Sequence, residues 1–190
     1  VNYASVLGGI SVNLSSAGEQ ILTMDGGAVS GSVTGFENVD LAGYTGGGAS
    51  ITAVKTGSTM TGTGSIDRIT GGAGSDTIDG GAGATVADVL TGGGGNDVYV
   101  YSAIANLFTS NAIVDTLVEA TSGGTDSIRL DSTGTGFTIA ASMDFGTSAR
   151  NIEQITVVPS GNNYSITLKA DADTDAPELL KIDLSGDTTA

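Results

Sequence analysis

Ile51, Met60, Ile69 and Ile78 stand nine residues apart, and most of the residues between them are glycine, serine, threonine or aspartate. A period of nine fits neither the 3.6-residue repeat of a helix nor one long alternating strand. It fits a short strand, a tight turn and another short strand, each strand turning an apolar side chain inward. The segments before this ladder carry the ordinary strand signal: Ile10, Val12 and Leu14 alternate with Ser11 and Asn13, and Ile21 and Leu22 precede a turn at Asp25, Gly26 and Gly27. Residues 36–41 (FENVDL) and 152–157 (IEQITV) read as two copies of one element, each followed by a polar turn and a second strand, at 49–52 and 164–167. Past Val100 the pattern changes to a short apolar stretch at 101–108, then 114–130 (VDTLVEATSGGTDSIRL) and 149–157 (ARNIEQITV). Repeating strands are thus predicted to begin well before the glycine-rich turns, with antiparallel or irregular strands on either side.

Residues 71–100 explain the period. With each aspartate at the sixth position there are four units, 62–70, 71–79, 80–91 and 92–100, with Asp67, Asp76, Asp88 and Asp97 sixth and Ile69, Ile78, Leu90 and Tyr99 eighth. Three units have nine residues; the third is longer by Thr85, Val86 and Ala87, which are expected to bulge from its turn. The second and fourth match G-G-x-G-x-D-x-U-x at every defined position, the pattern of a calcium-binding parallel β-helix. The residue types suit the metal. Calcium is a hard cation taking about six to eight oxygens from carboxylates and backbone carbonyls, and glycine lets a turn adopt backbone angles that aim carbonyls at one point. Candidate metal-site residues are Asp76, Asp97, Asp67 and Asp88, with Gly72, Gly74, Gly81, Gly83, Gly93, Gly95 and Asn96 shaping the turns. Composition alone would equally permit a flexible linker; the regularly placed apolar residues argue against one.

These units resemble the RTX family, secreted bacterial proteins whose β-roll binds calcium in its turns. The order of elements extends the likeness over roughly residues 1–170: a last glycine-rich turn, a block of the form D-T-x-V-E-x-x-x-G-G-T-D at 115–126, then an asparagine–glutamate strand element opening the next array. The resemblance implies that two consecutive units make one coil and that an ion lies between a turn and the turn two units later. Asp67 then pairs with Asp88, and Asp76 with Asp97. The second pair is better formed, because Thr63 and Ser65 replace glycines in the first unit and Asp88 follows the insertion; Asp79, at a variable ninth position, is left out. It further implies export through a type I secretion channel by an uncleaved carboxy-terminal signal, an extracellular or cell-surface location, and a long tandem-repeat parent.

Composition narrows the class. The 190 residues include 31 glycines and two prolines, and only 14% are charged, which disfavours a helical bundle and charge-driven disorder alike. A chain beginning at Val1 is expected to be a fragment or a processed form. Twenty-one acids against six bases give a net charge of −15, so the chain repels nucleic acid, and an acidic solenoid repels itself until a cation arrives. Without cysteine there is neither a disulfide framework nor a thiolate metal site. No apolar run approaches the roughly twenty residues of a membrane helix, and no charged-then-apolar leader opens the chain.

Other constellations read more simply. Asp171, Asp173 and Asp175 open like an EF-hand loop, yet Ala176 stands at its turn glycine and Ile182 at its closing glutamate, so a solvated acidic loop is preferred to a further ion site. Glu119 and Asp126 flank Gly123 and Gly124 and offer a cation site or an acid/base pair, against the plainer reading of a turn between strands. With no histidine there is no serine–histidine triad, and no Gly-Lys-Ser/Thr follows the glycine turns to make a phosphate loop. Tyr99 and Tyr101 are expected one in the core and one at the roll's end, in preference to a sugar-binding platform.

The expected fold is all-β, a short calcium-binding parallel β-roll (a β-solenoid) flanked by further strands, divided into 1–61, an amino-terminal strand or solenoid region, 62–101, the calcium-binding roll, and 102–190, a β-rich flank. The expected function is a non-enzymatic calcium-binding module that folds on calcium binding after export. It would serve in a structural surface protein, an S-layer-like subunit or adhesin able to self-associate into a lattice or filament. The rival is an export and folding module carried by a secreted enzyme or toxin.

Overall fold

The computed structural model describes residues 9–17, 20–24, 27–28, 34–53, 56–83, 85–110, 112–121, 123–131, 138–139, 149, 151–158, 165–166 and 181–183. Among the described residues almost all of the regular secondary structure is strand. The strands are β1 (Ile10–Asn13), β2 (Ile21–Met24), β3 (Gly27–Ala28), β4 (Val39–Asp40), β5 (Ala49–Thr52), β6 (Thr59–Thr61), β7 (Arg68–Gly72), β8 (Thr77–Asp79), β9 (Val89–Gly93) and β10 (Val98–Tyr101). A one-turn helix, α1 (Ile104–Leu107), and a small hairpin, β11 (Phe108–Thr109) with β12 (Ala112–Ile113), come next. They lead into β13 (Thr116–Val118), β14 (Ser127–Asp131), β15 (Thr138–Ile139), β16 (Gln154–Val158), β17 (Ser165–Ile166) and β18 (Lys181–Asp183).

From β4 to β14, apart from the β11–β12 hairpin, successive strands alternate between two sheets, while β15 and β17 pair separately. One has the order β13-β9-β7-β5-β1-β2-β3, the other β18-β16-β14-β10-β8-β6-β4. Within each sheet the roll's neighbours are parallel, so the chain winds as a flattened coil with one strand per face per turn. Register is set by the inward apolar residue of each strand: Ile51, Ile69, Leu90 and Leu117 are aligned across the first sheet, and Val39, Met60, Ile78, Tyr99, Ile128 and Ile155 across the second. All but Val39 are buried, and together they form the core between the sheets. The nine-residue spacing is thus half a coil, and the eighth positions of all four units fill the interior. Both sheets cross residues 61 and 101 without a break.

At its amino-terminal end the roll departs from a simple coil. β1 joins β5 in parallel but pairs with β2 antiparallel, and β2 with β3 likewise, as the alternation at Ile10–Leu14 suggested. Gln20 is buried here and clamps the incoming chain: its amide donates to the carbonyls of Leu14 and Phe36 at 3.0 and 2.9 Å and accepts the Phe36 N–H at 2.8 Å.

Coil length varies, and the variation is confined to turns. Ser58 and Asp76, stacked on adjacent coils, are 18 residues apart, two nonapeptides. Asp67 and Asp88 are 21 apart because Thr85, Val86 and Ala87 bulge from the turn, Thr85 and Ala87 exposed and the Val86 N–H bonded to the Gly83 carbonyl. Asp88 and Asp115 are 27 apart because α1 and the β11–β12 hairpin are spliced into the same edge. Deleting residues 85–87 restores a nine-residue unit and touches no core position. Thermal unfolding of the calcium-saturated deletion variant is expected within about 0.5 kcal/mol of the parent, the range of changes away from structural features. A large fall in melting temperature would show that the bulge supports the roll.

Candidate metal centre

The turns stack along the two edges of the roll, strands of one sheet being about 4.8 Å apart. On one edge the turns ending at Asp76, Asp97 and Asp126 lie above one another; on the other, those ending at Asp67, Asp88 and Asp115 do. All six aspartates are buried. Each holds the preceding coil in the same way, its Oδ1 accepting a backbone N–H one coil earlier. On the first edge Asp76 accepts from Ser58 at 2.7 Å, Asp97 from Asp76 at 2.7 Å and Asp126 from Asp97 at 2.9 Å, and Glu153 Oε2 accepts from Asp126 at 2.6 Å. On the second edge Asp67 accepts from Ala49, Asp88 from Asp67 at 2.8 Å and Asp115 from Asp88 at 2.9 Å. The pairs Asp67–Asp88 and Asp76–Asp97 are direct neighbours in these ladders.

The second carboxylate oxygen faces the inside of its own turn. Asp67 Oδ2 accepts from the Thr63 N–H at 2.7 Å, and Asp76 Oδ2 from the Gly72 N–H at 2.9 Å. The glycine opening each turn has its bare Cα against this oxygen. A Cβ at Gly62 would come within 2.5 Å of Asp67 Oδ2 and 2.7 Å of the Gly80 carbonyl oxygen; one at Gly71 would come within 2.5 Å of Asp76 Oδ2 and would overlap the Gly92 carbonyl oxygen. Absence of a side chain at Gly62 and Gly71 therefore leaves a cradle walled by one carboxylate oxygen and one carbonyl oxygen of the next coil, the donor set a hard divalent cation takes.

The predicted glycines serve several purposes. Gly81 and Gly93 have φ of +98° and +108° and press against the carbonyl oxygens of Thr63 and Gly72, where a side chain would be strained and would also collide. Gly95 likewise lies on Gly74, Gly74 on the backbone at Thr56 and Gly57, and Gly83 against the Val86 side chain. Asn96 is exposed; its Oδ1 accepts the Thr125 N–H at 2.9 Å, so it spaces neighbouring turns. Asp79 accepts the Gly81 N–H at 2.8 Å and lies outside the ladders. Asp171, Asp173 and Asp175 lie outside the described residues.

Stacking carboxylates in a buried column raises their affinity for protons. Burial, with the neighbouring carboxylates adding to it, pushes Asp88 up to about 8 and Asp97 to about 6; burial also moves Asp115 to about 6 and Glu119 to about 7, and raises Asp67, Asp76 and Asp126. A cation between turns removes this penalty directly.

Asp115 was not singled out in the sequence, and Glu119 and Asp126 were offered as a cation site or acid/base pair with a plain turn between strands preferred. Their signal was the 115–126 block, which reads as a spacer because its coils are off the nine-residue period. Asp115 ends its column differently from the rest, its Oδ2 accepting the Tyr101 hydroxyl at 2.8 Å. The expectation that only one of Tyr99 and Tyr101 faces the core is corrected: both are buried, because residues two apart on a strand share a face, and their hydroxyls reach opposite edges. Neither offers a sugar-binding platform. Tyr101→Phe leaves Asp115 Oδ2 without its donor, and is expected to destabilise the calcium-saturated fold by about 1–3 kcal/mol in urea unfolding. Glu119 and Asp126 bring carboxylate oxygens within 4.8 Å of each other.

A parallel two-sheet coil with acidic, glycine-opened turns is a calcium-binding β-roll. The family model of the RTX calcium-binding nonapeptide repeat matches residues 58–86 and 87–103, as four copies; the chain carries the RTX repeats, and those repeats bind Ca2+. No curated protein and no solved structure matches the chain. Among the described residues no helix is long and apolar enough to cross a membrane.

Proposed function

We propose that calcium held between Asp67 and Asp88 and between Asp76 and Asp97, with the Gly80 and Gly92 carbonyls, couples ion binding to folding of the roll after export to the outside of the cell. The observation that carries this reading is the pair of buried acidic columns. Their carboxylates already hold successive turns in register through Oδ1, and each Oδ2, turned to the inside of its own turn, keeps lone-pair capacity to answer a cation between turns. Calcium supplies the positive charge that lets the columns remain ionised when buried. In the unfolded chain these groups are far apart, so metal binding free energy becomes folding free energy. Residues 62–101 are the calcium-binding part, and the strands β1–β6 before them and β13, β14, β16 and β18 after them extend the same two sheets.

The role is a structural one at the cell surface, as an S-layer-like subunit or adhesin reached through a type I secretion channel. Recurrence of the 36–41 element at 152–157, with Val39 and Ile155 aligned in one sheet, supports a tandem architecture. Electron microscopy of the purified chain in millimolar calcium tests this: lattices or filaments that dissolve in chelator are expected. A monodisperse solution would favour an export and folding module attached to a secreted enzyme or toxin.

A further inference from the structure

The edge carrying Asp76 and Asp97 does not end as the nonapeptide pattern would end it. At Gly62 and Gly71 the wall opposite the aspartate is the carbonyl oxygen of the first glycine of the next coil. One coil higher, the atoms meeting a Cβ at Gly92 would be Asp97 Oδ2 and Glu119 Oε1. The chain has left the nonapeptide pattern there, and a carboxylate stands where a carbonyl stood below. A second change follows. In the lower turns the second residue's N–H, from Thr63 or Gly72, satisfies the turn's own Oδ2; in the top turn the Gly93 N–H is directed to Glu119 Oε2 at 3.3 Å. Asp97 Oδ2 is left buried, with no hydrogen-bond partner, on a residue that is 0% exposed. Asp97, Glu119 and Asp126 each present a carboxylate oxygen within 4.8 Å of the others.

We propose that Asp97, Glu119 and Asp126 form a further calcium site at the seam between the last nonapeptide turn and the 119–126 turn, with the Glu119 side chain in the place a glycine carbonyl holds one coil lower. Three carboxylates around one point demand a cation, and the unpartnered Asp97 oxygen aims into it. Tyr99 fixes the wall: its hydroxyl accepts the Gly92 N–H at 2.8 Å and donates to Glu119 Oε1, so the carboxylate is oriented from behind by a buried ring. Among the described residues the opposite edge has no counterpart. No carbonyl of the next coil is among the nearest atoms to a Cβ at Gly80, and Asp115 is satisfied by Tyr101. The seam joins the repeats to the strands beyond them, so an ion there locks β13 and β14 onto the roll.

The inference rests on the reading of the columns as calcium sites, and the test separates the two. Calorimetric titration of Glu119→Gln with calcium is expected to give one ion fewer than the wild-type chain. Terbium, whose emission is sensitised by a tyrosine within a few ångströms of the ion, is expected to lose most of its signal in Glu119→Gln and to keep it in Asp67→Asn. Asp126→Asn, read in the same way, approaches the site from its other wall should Glu119→Gln fail to fold. An unchanged ion count and unchanged terbium emission in both variants would overturn the seam site while leaving the nonapeptide sites standing. A wild-type chain that takes up no calcium would overturn both.

Discussion

In a calcium chelator near neutral pH the purified chain is expected to give the far-ultraviolet circular dichroism of an unfolded polypeptide, and millimolar calcium to restore the β-sheet signal cooperatively. The reason is electrostatic and local. A net charge of −15 must be packed into a coil whose two edges bury six aspartates in columns, and there is no histidine and little lysine or arginine to answer them. The apolar core opposing this is one residue per strand deep over most of the roll, so it is thin against the roughly 1–2 kcal/mol of backbone entropy per ordered residue. At a free calcium concentration 100-fold above its dissociation constant, each ion adds about 2.7 kcal/mol to stability, comparable to a large core side chain. Asp97→Ala removes one half of a nonapeptide pair and leaves the Asp76 N–H without its acceptor, so calcium-induced folding is expected to be lost or displaced to at least roughly tenfold higher calcium, as for loss of a supporting group at a metal site. Asp40→Ala, at an exposed position, is expected to leave the titration unchanged. Identical spectra in chelator and in calcium, for the wild-type chain, would sink the coupling of binding to folding.

The nine-residue ladder was legible in the sequence because the core of a solenoid is local: Ile69, Ile78, Leu90 and Tyr99 need only the adjacent coil to be buried, and the order of the chain places that coil there. The insertion at Thr85–Ala87 was legible for the same reason, since register resumes at Asp88. What lay hidden was the continuation of the columns into Asp115 and Asp126. Their partners lie 27 and 29 residues back, across α1 and the β11–β12 hairpin, and no fixed period spans an insertion of unknown path. Glu119 was visible with Asp126 as a candidate cation site or acid/base pair, set against the plainer reading of a turn. That it replaces a backbone carbonyl is a fact of three-dimensional stacking, decided by where Gly92 and Gly93 point. The tyrosines were misread on a narrower ground: alternation puts both on one face, and each hydroxyl then finds a carboxylate to bond at its own edge.

Acidifying the chelated protein is expected to promote folding, opposite to the usual response of a salt-bridged protein to acid. Asp88 is raised to about 8, Glu119 to about 7, and Asp97 and Asp115 to about 6, above their ordinary values of 3.8 and 4.5, with burial the leading cause in each. Between about pH 4 and 8 the metal-free native state therefore binds more protons than the unfolded chain, and its stability falls as pH rises through that window. Calcium removes this dependence. Its ligands must be ionised, so binding releases the protons that burial had held, and affinity grows as pH rises through the same window. In chelator the β-sheet signal is expected to fall as pH rises from about 5.5 towards neutrality, whereas melts in saturating calcium are expected to stay nearly level from about pH 5.5 to 8, because the carboxylates of the loaded and the unfolded chain are both ionised there. The calcium midpoint should fall over that range with proton release, measurable by titration in buffers of different ionisation enthalpy. A β-sheet signal that grows with pH in chelator would mean the columns are solvated and ionised without metal, and the calcium requirement would then need another origin.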